Sequence, residues 1–131
     1  MTRVASCRCG ALRARCSGEP VRVSVCHCLA CQARTGSAFG AQARFLTENV
    51  EMEGEQRSFV RVADSGRKVD YRFCPACGST IGYTIEGMPE LVAVPLGAFA
   101  GADLPPPVYS IYESRKRPWV RIEGEGVEHH D

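Results

Sequence analysis

Seven of the eight cysteines of this chain fall into three tight clusters, and that grouping constrains its fold more than any other feature. Cys7 and Cys9 form a C-x-C pair in "SCRCGA"; Cys26, Cys28 and Cys31 form a C-x-C-x-x-C triplet in "VCHCLACQ"; Cys74 and Cys77 form a C-x-x-C pair in "FCPACGS". Thiolates are soft ligands that suit zinc, and tight turns deliver them in pairs to a tetrahedral ion. The two pairs can close one four-sulfur structural site. The triplet supplies three ligands from one short segment, and three protein ligands with an open position is the pattern of a catalytic zinc. The sequence therefore predicts two metal sites with different tasks. "CPACG" has the make-up of a zinc knuckle, with Gly78 able to take the positive φ such a turn needs. Cys7 and Cys9 need a turn to bring their sulfurs together, and Gly10 can help provide it.

Eight cysteines could instead staple a secreted domain through disulfides. "MTRVASCRCG" lacks the apolar run of a signal peptide, and no later segment reads as a membrane span, so the expectation is a cytoplasmic protein with reduced thiols. A length of 131 residues fits a single domain, 1–131. The formal charge of +1 counts every thiol as neutral; with four thiolates on one zinc and three on another the loaded protein carries about −2. That balance calls for neither a nucleic-acid nor a membrane partner.

Between the clusters the chain reads mostly as strand. Residues 11–16 alternate, with Leu12, Ala14 and Cys16 on one face and Arg13 and Arg15 on the other; Val21, Val23 and Val25 repeat the pattern and lead into Cys26. "LACQAR" reads as one or two helical turns ending at Gly36, and "SAFGAQARF" as the next strand. "RSFVRVA" and "KVDYRF" flank "DSGR" as a hairpin feeding Cys74; "TIGYTIE", "ELVAVPLG", "VYSIY" and "WVRIE" complete the strand set. Pro105, Pro106 and Pro107 cannot lie inside a sheet. The tail, about residues 124–131, is expected to fray.

The triplet's electronics narrow its chemistry. Three thiolates make a bound zinc electron-rich and a poor activator of water compared with a three-histidine site, so a thiol held as thiolate is the favoured fourth ligand. Cys16 is expected to be a buried strand residue; were it a fourth ligand, the site would be closed. His27, between two ligands, is expected to point away from the metal. His129 and His130 carry no assigned role. Arg34 beside the triplet and the cluster Arg115, Lys116 and Arg117 are candidate anchors for an acidic ligand.

At "CRCGALRARC", "CHCLACQARTGSAF", "FCPACGSTIGY" and "YSIYESRKRPW" the chain resembles the glutathione-dependent formaldehyde-activating enzyme family, whose relatives include the centromere protein V group. The resemblance spans nearly the whole chain. It implies a β-tent of packed antiparallel sheets, a structural zinc on Cys7, Cys9, Cys74 and Cys77, and a catalytic zinc on Cys26, Cys28 and Cys31. It also implies condensation of glutathione with formaldehyde to S-hydroxymethylglutathione, a carbon–sulfur lyase reaction read in reverse. Two other readings remain open: a zinc-dependent glutathione carrier without useful turnover, and an interaction module with both metals closed.

Overall fold

A computed structural model describes residues 1–131. The fold is mainly β. A three-stranded antiparallel sheet contains β1 (Thr2–Ser6), β2 (Arg13–Ser17) and β5 (Val50–Glu53), in the order β1-β2-β5. An eight-stranded sheet holds the rest: β3 (Arg22–Cys26), β4 (Gly40–Leu46), β6 (Arg57–Val62), β7 (Lys68–Phe73), β8 (Thr80–Ile85), β9 (Leu91–Pro95), β10 (Tyr109–Ile111) and β11 (Glu128–His129). Its order is β11-β10-β3-β4-β9-β8-β7-β6. The one α-helix, α1 (Leu29–Thr35), follows β3 directly.

The alternation in the sequence explains how the sheets stack. In β2, Ala14 and Cys16 are buried while Arg13 and Arg15 are exposed. These inward residues, with Ala5 and Leu12, meet Val23, Ala43, Phe45, Ile81, Val92 and Val94 from the larger sheet in one apolar cluster. Each fully buried Leu or Phe side chain there contributes roughly 1.5–3 kcal/mol. Phe45 and Phe99 meet at 5.9 Å with rings tilted by 44°. The opposite face of the eight-stranded sheet is free of this core. It presents Arg22, Ser24 and Cys26 from β3 and Gln42 and Arg44 from β4 to a separate cavity.

Most expected strands are present, with four differences. The sheets are not purely antiparallel, because β10 runs parallel to both β3 and β11. The crossover through Pro105–Pro107 makes this possible, returning the chain without a hairpin. "WVRIE" is not a strand; Pro118 and Trp119 form a turn and the segment has no ladder partner. The tail does not fray over its whole length: His130 N–H donates to Ser110 O at 2.8 Å and Glu113 N–H to His130 O at 2.9 Å, pinning β11 along the sheet edge. Strand β1, with its arginine and serine, and strand β5, with acidic residues at Glu51 and Glu53, lack a strong apolar signature and were not expected from the sequence.

Candidate metal centres

The four-cysteine group forms where two turns meet. After β1 the chain turns back on itself: Cys7 N–H donates to Leu12 O at 2.9 Å and Gly10 N–H to Cys7 O at 3.1 Å, with Gly10 at φ 84°. Between β7 and β8, Gly78 N–H donates to Cys74 O at 2.8 Å, and Gly78 takes φ 79°, a left-handed conformation that a side chain would strain. Cys9 Sγ then lies 3.7 Å from Cys7 Sγ and 3.7 Å from Cys74 Sγ. All four sulfurs fall within 4.8 Å of one another. A tetrahedral ion with sulfurs at about 2.3 Å sets them about 3.8 Å apart, so this spacing fits a thiolate-bound metal. Leu12 N–H donates to Cys7 Sγ at 3.2 Å. The Ser79 hydroxyl, 3.3 Å from Cys77 Sγ, lowers the Cys77 thiol to about 5. Cys9 shows the opposite strain: Ala11 N–H favours its thiolate, yet the neighbouring Cys7 and Cys74 sulfurs push it up to about 11. Crowded sulfurs resist joint ionisation until a cation offsets their charge.

The triplet lies on the other face of the eight-stranded sheet, at the junction of β3 and α1. Cys26 ends the strand, and Cys28 caps the helix, its sulfur accepting from Cys31 N–H at 3.3 Å. Hydrogen bonding from Cys26, then from Cys31 and its backbone N–H, draws the Cys28 thiol down to about 2, while the Cys28 sulfur drives Cys26 far up. One thiolate thus forms readily and holds the protons of its neighbours. The three sulfurs also lie within 4.8 Å of one another, and the group can hold a metal ion through three ligands. A seven-residue helix is too short to persist alone. Here Thr35 Oγ1 donates to Cys31 O at 2.8 Å, and Gln32 Nε2 donates to His27 O at 2.8 Å and to Arg115 O at 3.2 Å.

His27 points away from the sulfurs, as expected, but into the protein: it is fully buried, with Nε2 2.9 Å from Ser110 Oγ and its ring 5.7 Å from that of Phe39. Burial lowers its pKa and favours the neutral imidazole. Cys16 is likewise fully buried, in the apolar cluster between the sheets, and belongs to neither sulfur group. All eight cysteines are free thiols.

Cys26, Cys28 and Cys31 open into a cavity of about 520 Å³. Arg22, Arg44, Arg61 and Arg67 line it, and no aspartate or glutamate does. Tyr83 and Tyr71 also line it, 5.4 Å apart between centroids. Burial raises the pKa of Tyr83, which stays protonated. Tyr112, also in the lining, is the single non-glycine residue with positive φ, at 60°. Arg34 does not line this cavity; its guanidinium sits 5.3 Å from the Tyr83 ring centroid and 5.8 Å from that of Tyr71. Hydrogen bonding from Cys26 lowers the Cys31 thiol, but the Cys28 sulfur and burial outweigh it and leave Cys31 raised; the Arg34 charge offsets only part of that rise. Arg115 and Lys116 lie outside the cavity, and Arg117 borders a shallow hollow beside Trp119.

The cavity arginines were missed in the sequence, although the signal was present. Arg22 and Ser24 alternate with valines and share their strand face with Cys26; Gln42 and Arg44 alternate with alanine and phenylalanine. Polar residues in phase with a ligand on a strand face the same side as that ligand.

A mainly β fold carrying two cysteine clusters that can each hold a metal ion defines the class. The glutathione-dependent formaldehyde-activating enzyme family model matches residues 2–115, and the chain belongs to this family. Among solved structures, a Rhodobacter sphaeroides protein determined as a structural-genomics target is similar, with 18% identity and a TM-score of 0.58 over 76% of this chain and 90% of that one. That likeness supports the fold. No curated protein matches the sequence. No helix is long and apolar enough to cross a membrane.

Proposed function

We propose that the chain is a zinc-dependent enzyme that binds glutathione and condenses it with formaldehyde to S-hydroxymethylglutathione, a carbon–sulfur lyase in the reverse direction. The observation that carries this reading is the placement of Cys26, Cys28 and Cys31 together in the wall of an arginine-rich cavity. The working unit is the single domain 1–131, in the cytoplasm. Cys7, Cys9, Cys74 and Cys77 would hold a structural zinc, and Cys26, Cys28 and Cys31 a second zinc. When bound there, zinc supplies a soft acid that keeps a substrate thiol deprotonated at neutral pH.

In the reaction the thiol sulfur bonds to the formaldehyde carbon, the carbonyl π bond opens, and the proton lost by the thiol ends on the carbonyl oxygen. The walls hold the two reactants together, converting a bimolecular encounter into a local one. Tyr83 stays protonated and can donate a hydrogen bond to the oxygen as negative charge develops. The guanidinium groups offset the charge of an anionic thiol.

One observation favours the alternative of a glutathione carrier: no carboxylate or imidazole lines the cavity to relay protons, since His27 faces the other way. Cobalt substitution tests both readings. Glutathione should perturb the cobalt–thiolate absorption, whereas S-methylglutathione, which cannot form a thiolate, should not. Exchange spectroscopy of S-hydroxymethylglutathione formation then separates enzyme from carrier. An unchanged cobalt spectrum would remove both and leave the interaction-module reading.

A further inference from the structure

Strands β3 and β4 arrange the cavity wall as a graded series. Their antiparallel register sets Cys26 opposite Gly40, Ser24 opposite Gln42, and Arg22 opposite Arg44. With a rise of about 3.4 Å per residue, the Ser24–Gln42 row lies about 7 Å from the Cys26 row and the Arg22–Arg44 row about 14 Å from it. The cavity thus runs from sulfur, through an amide, to two guanidinium groups.

Each level beyond the sulfur leaves a buried polar atom without a hydrogen bond in the protein. Gln42 is 1% exposed; its Nε2 donates to Ser24 Oγ at 2.7 Å, while its Oε1 is buried without a hydrogen bond. A buried acceptor left unpaired is unfavourable. Arg44 Nε is also buried without a partner, and neither Arg22 nor Arg44 forms an ion pair. Arg22 instead stacks on Tyr109, with Cζ 4.1 Å from the ring centroid. Two arginines directly opposite on neighbouring strands repel one another, so the arrangement does not serve the sheet.

We propose that Gln42, Arg44 and Arg22 determine which thiol this cavity accepts: Gln42 Oε1 receives an amide N–H of the ligand, and Arg44 and Arg22 clamp a carboxylate at its far end. This inference rests on the thiol-binding reading above. A three-residue thiol spans about 10 Å when extended, so an arginine folding back from the far row meets its terminal carboxylate. Arginine forks match carboxylates in two parallel hydrogen bonds. With no acid in the wall, an ammonium group on the ligand gains nothing, and a cationic thiol is disfavoured.

The test uses the cobalt-substituted full-length protein, with affinities read from the cobalt–thiolate absorption for three thiols: glutathione, neutral 2-mercaptoethanol and cationic cysteamine. The unmodified chain should bind them in that order. Arg44→Gln should weaken glutathione between about tenfold and about a hundredfold and leave 2-mercaptoethanol unchanged, since a charge-assisted pair is lost. Arg22→Gln and Gln42→Leu should act in the same direction. Arg44→Gln also removes one of two facing like charges, so its melting temperature should stay level or rise, which keeps the variant usable. If both glutathione and 2-mercaptoethanol bind and no variant alters their ratio, the anchor assignment is overturned while thiol binding stands. Failure of all three thiols to change the spectrum overturns thiol binding and the anchor assignment together.

Discussion

At the scale of single residues, burial separates cysteines with identical chemistry. Cys16 and Cys28 are both thiols near a strand end, yet burial between the sheets pushes Cys16 up to about 11, whereas hydrogen bonds from Cys26 and Cys31 draw Cys28 down to about 2. The alternation of residues 11–16 already placed Cys16 with Leu12 and Ala14, so its role was legible from period alone. Cys16→Ala should therefore retain whatever metal the chain binds and lose roughly 1 kcal/mol of stability near neutral pH through the small void. The pH dependence has a definite sign. The unfolded thiol ionises above about pH 8.5, while the folded one stays protonated to about 11, so the stability due to Cys16 is present below pH 8.5 and falls between these values. The advantage of the parent over Cys16→Ala, measured by urea unfolding, should fall from pH 8 and change sign before pH 10.5, since two pKa units of linkage are worth about 2.5 kcal/mol. Loss of a metal equivalent on this substitution, or an advantage that grows with pH, would contradict the placement.

At the scale of elements, sequence reading succeeded where a local signal and the tertiary environment agreed. The hairpin of β6 and β7 turns where "DSGR" announces it, and α1 stops at Gly36. It failed where pairing came from distant chain. The segment 119–123 has alternating apolar residues but no strand beside it to pair with, while the polar tail at Glu128–His129 gains a ladder because β10 leaves its outer edge free. Local composition carries no information about which edge stands open. The four cysteines at the two turns were foreseeable from spacing, and Arg22 and Ser24 from their phase with Cys26; which distant strands complete the cavity was not, because the approach of the β3–β4 pair to β7 and β8 is set by sheet order. Tyr109 illustrates the dependence on the tail: its ring meets that of His130 at 4.6 Å and also carries the Arg22 guanidinium, 4.1 Å from its centroid. Deletion of residues 127–131 should lower the melting temperature by a few degrees, corresponding to about 1 kcal/mol. It should also accelerate hydrogen exchange at the Glu113 amide, which bonds His130 O, and leave metal content unchanged. Unaltered melting and unaltered exchange would show that β11 contributes nothing to the edge.

At the scale of the whole molecule, the two sulfur groups occupy unequal positions in the fold. The Cys7, Cys9, Cys74 and Cys77 group joins the turn after β1, in the smaller sheet, to the turn between β7 and β8 in the larger one, and Cys7 and Cys74 are themselves part of the apolar cluster between the sheets. The triplet belongs to one continuous segment of 26–31 and links no distant parts of the chain. A metal in the first group closes a long loop and binds only when both turns are folded; structural zinc sites are worth about 10–16 kcal/mol, comparable with or above the 5–15 kcal/mol of a typical domain. A metal in the second stabilises little beyond α1. Cys9→Ser should therefore abolish cooperative folding or lower the melting temperature by tens of degrees, since Cys9 Sγ sits 3.7 Å from both Cys7 and Cys74. Cys28→Ser should shift melting by only a few degrees and release one metal equivalent. Graded chelation of the parent should follow the same order, with the first equivalent lost from the folded protein and the second lost together with β-sheet circular dichroism. Zinc analysis alongside thermal melts decides the matter: equal destabilisation by Cys9→Ser and Cys28→Ser, or simultaneous release of both equivalents on unfolding, would mean that the division between a site that holds the sheets together and a site left open for a ligand is wrong.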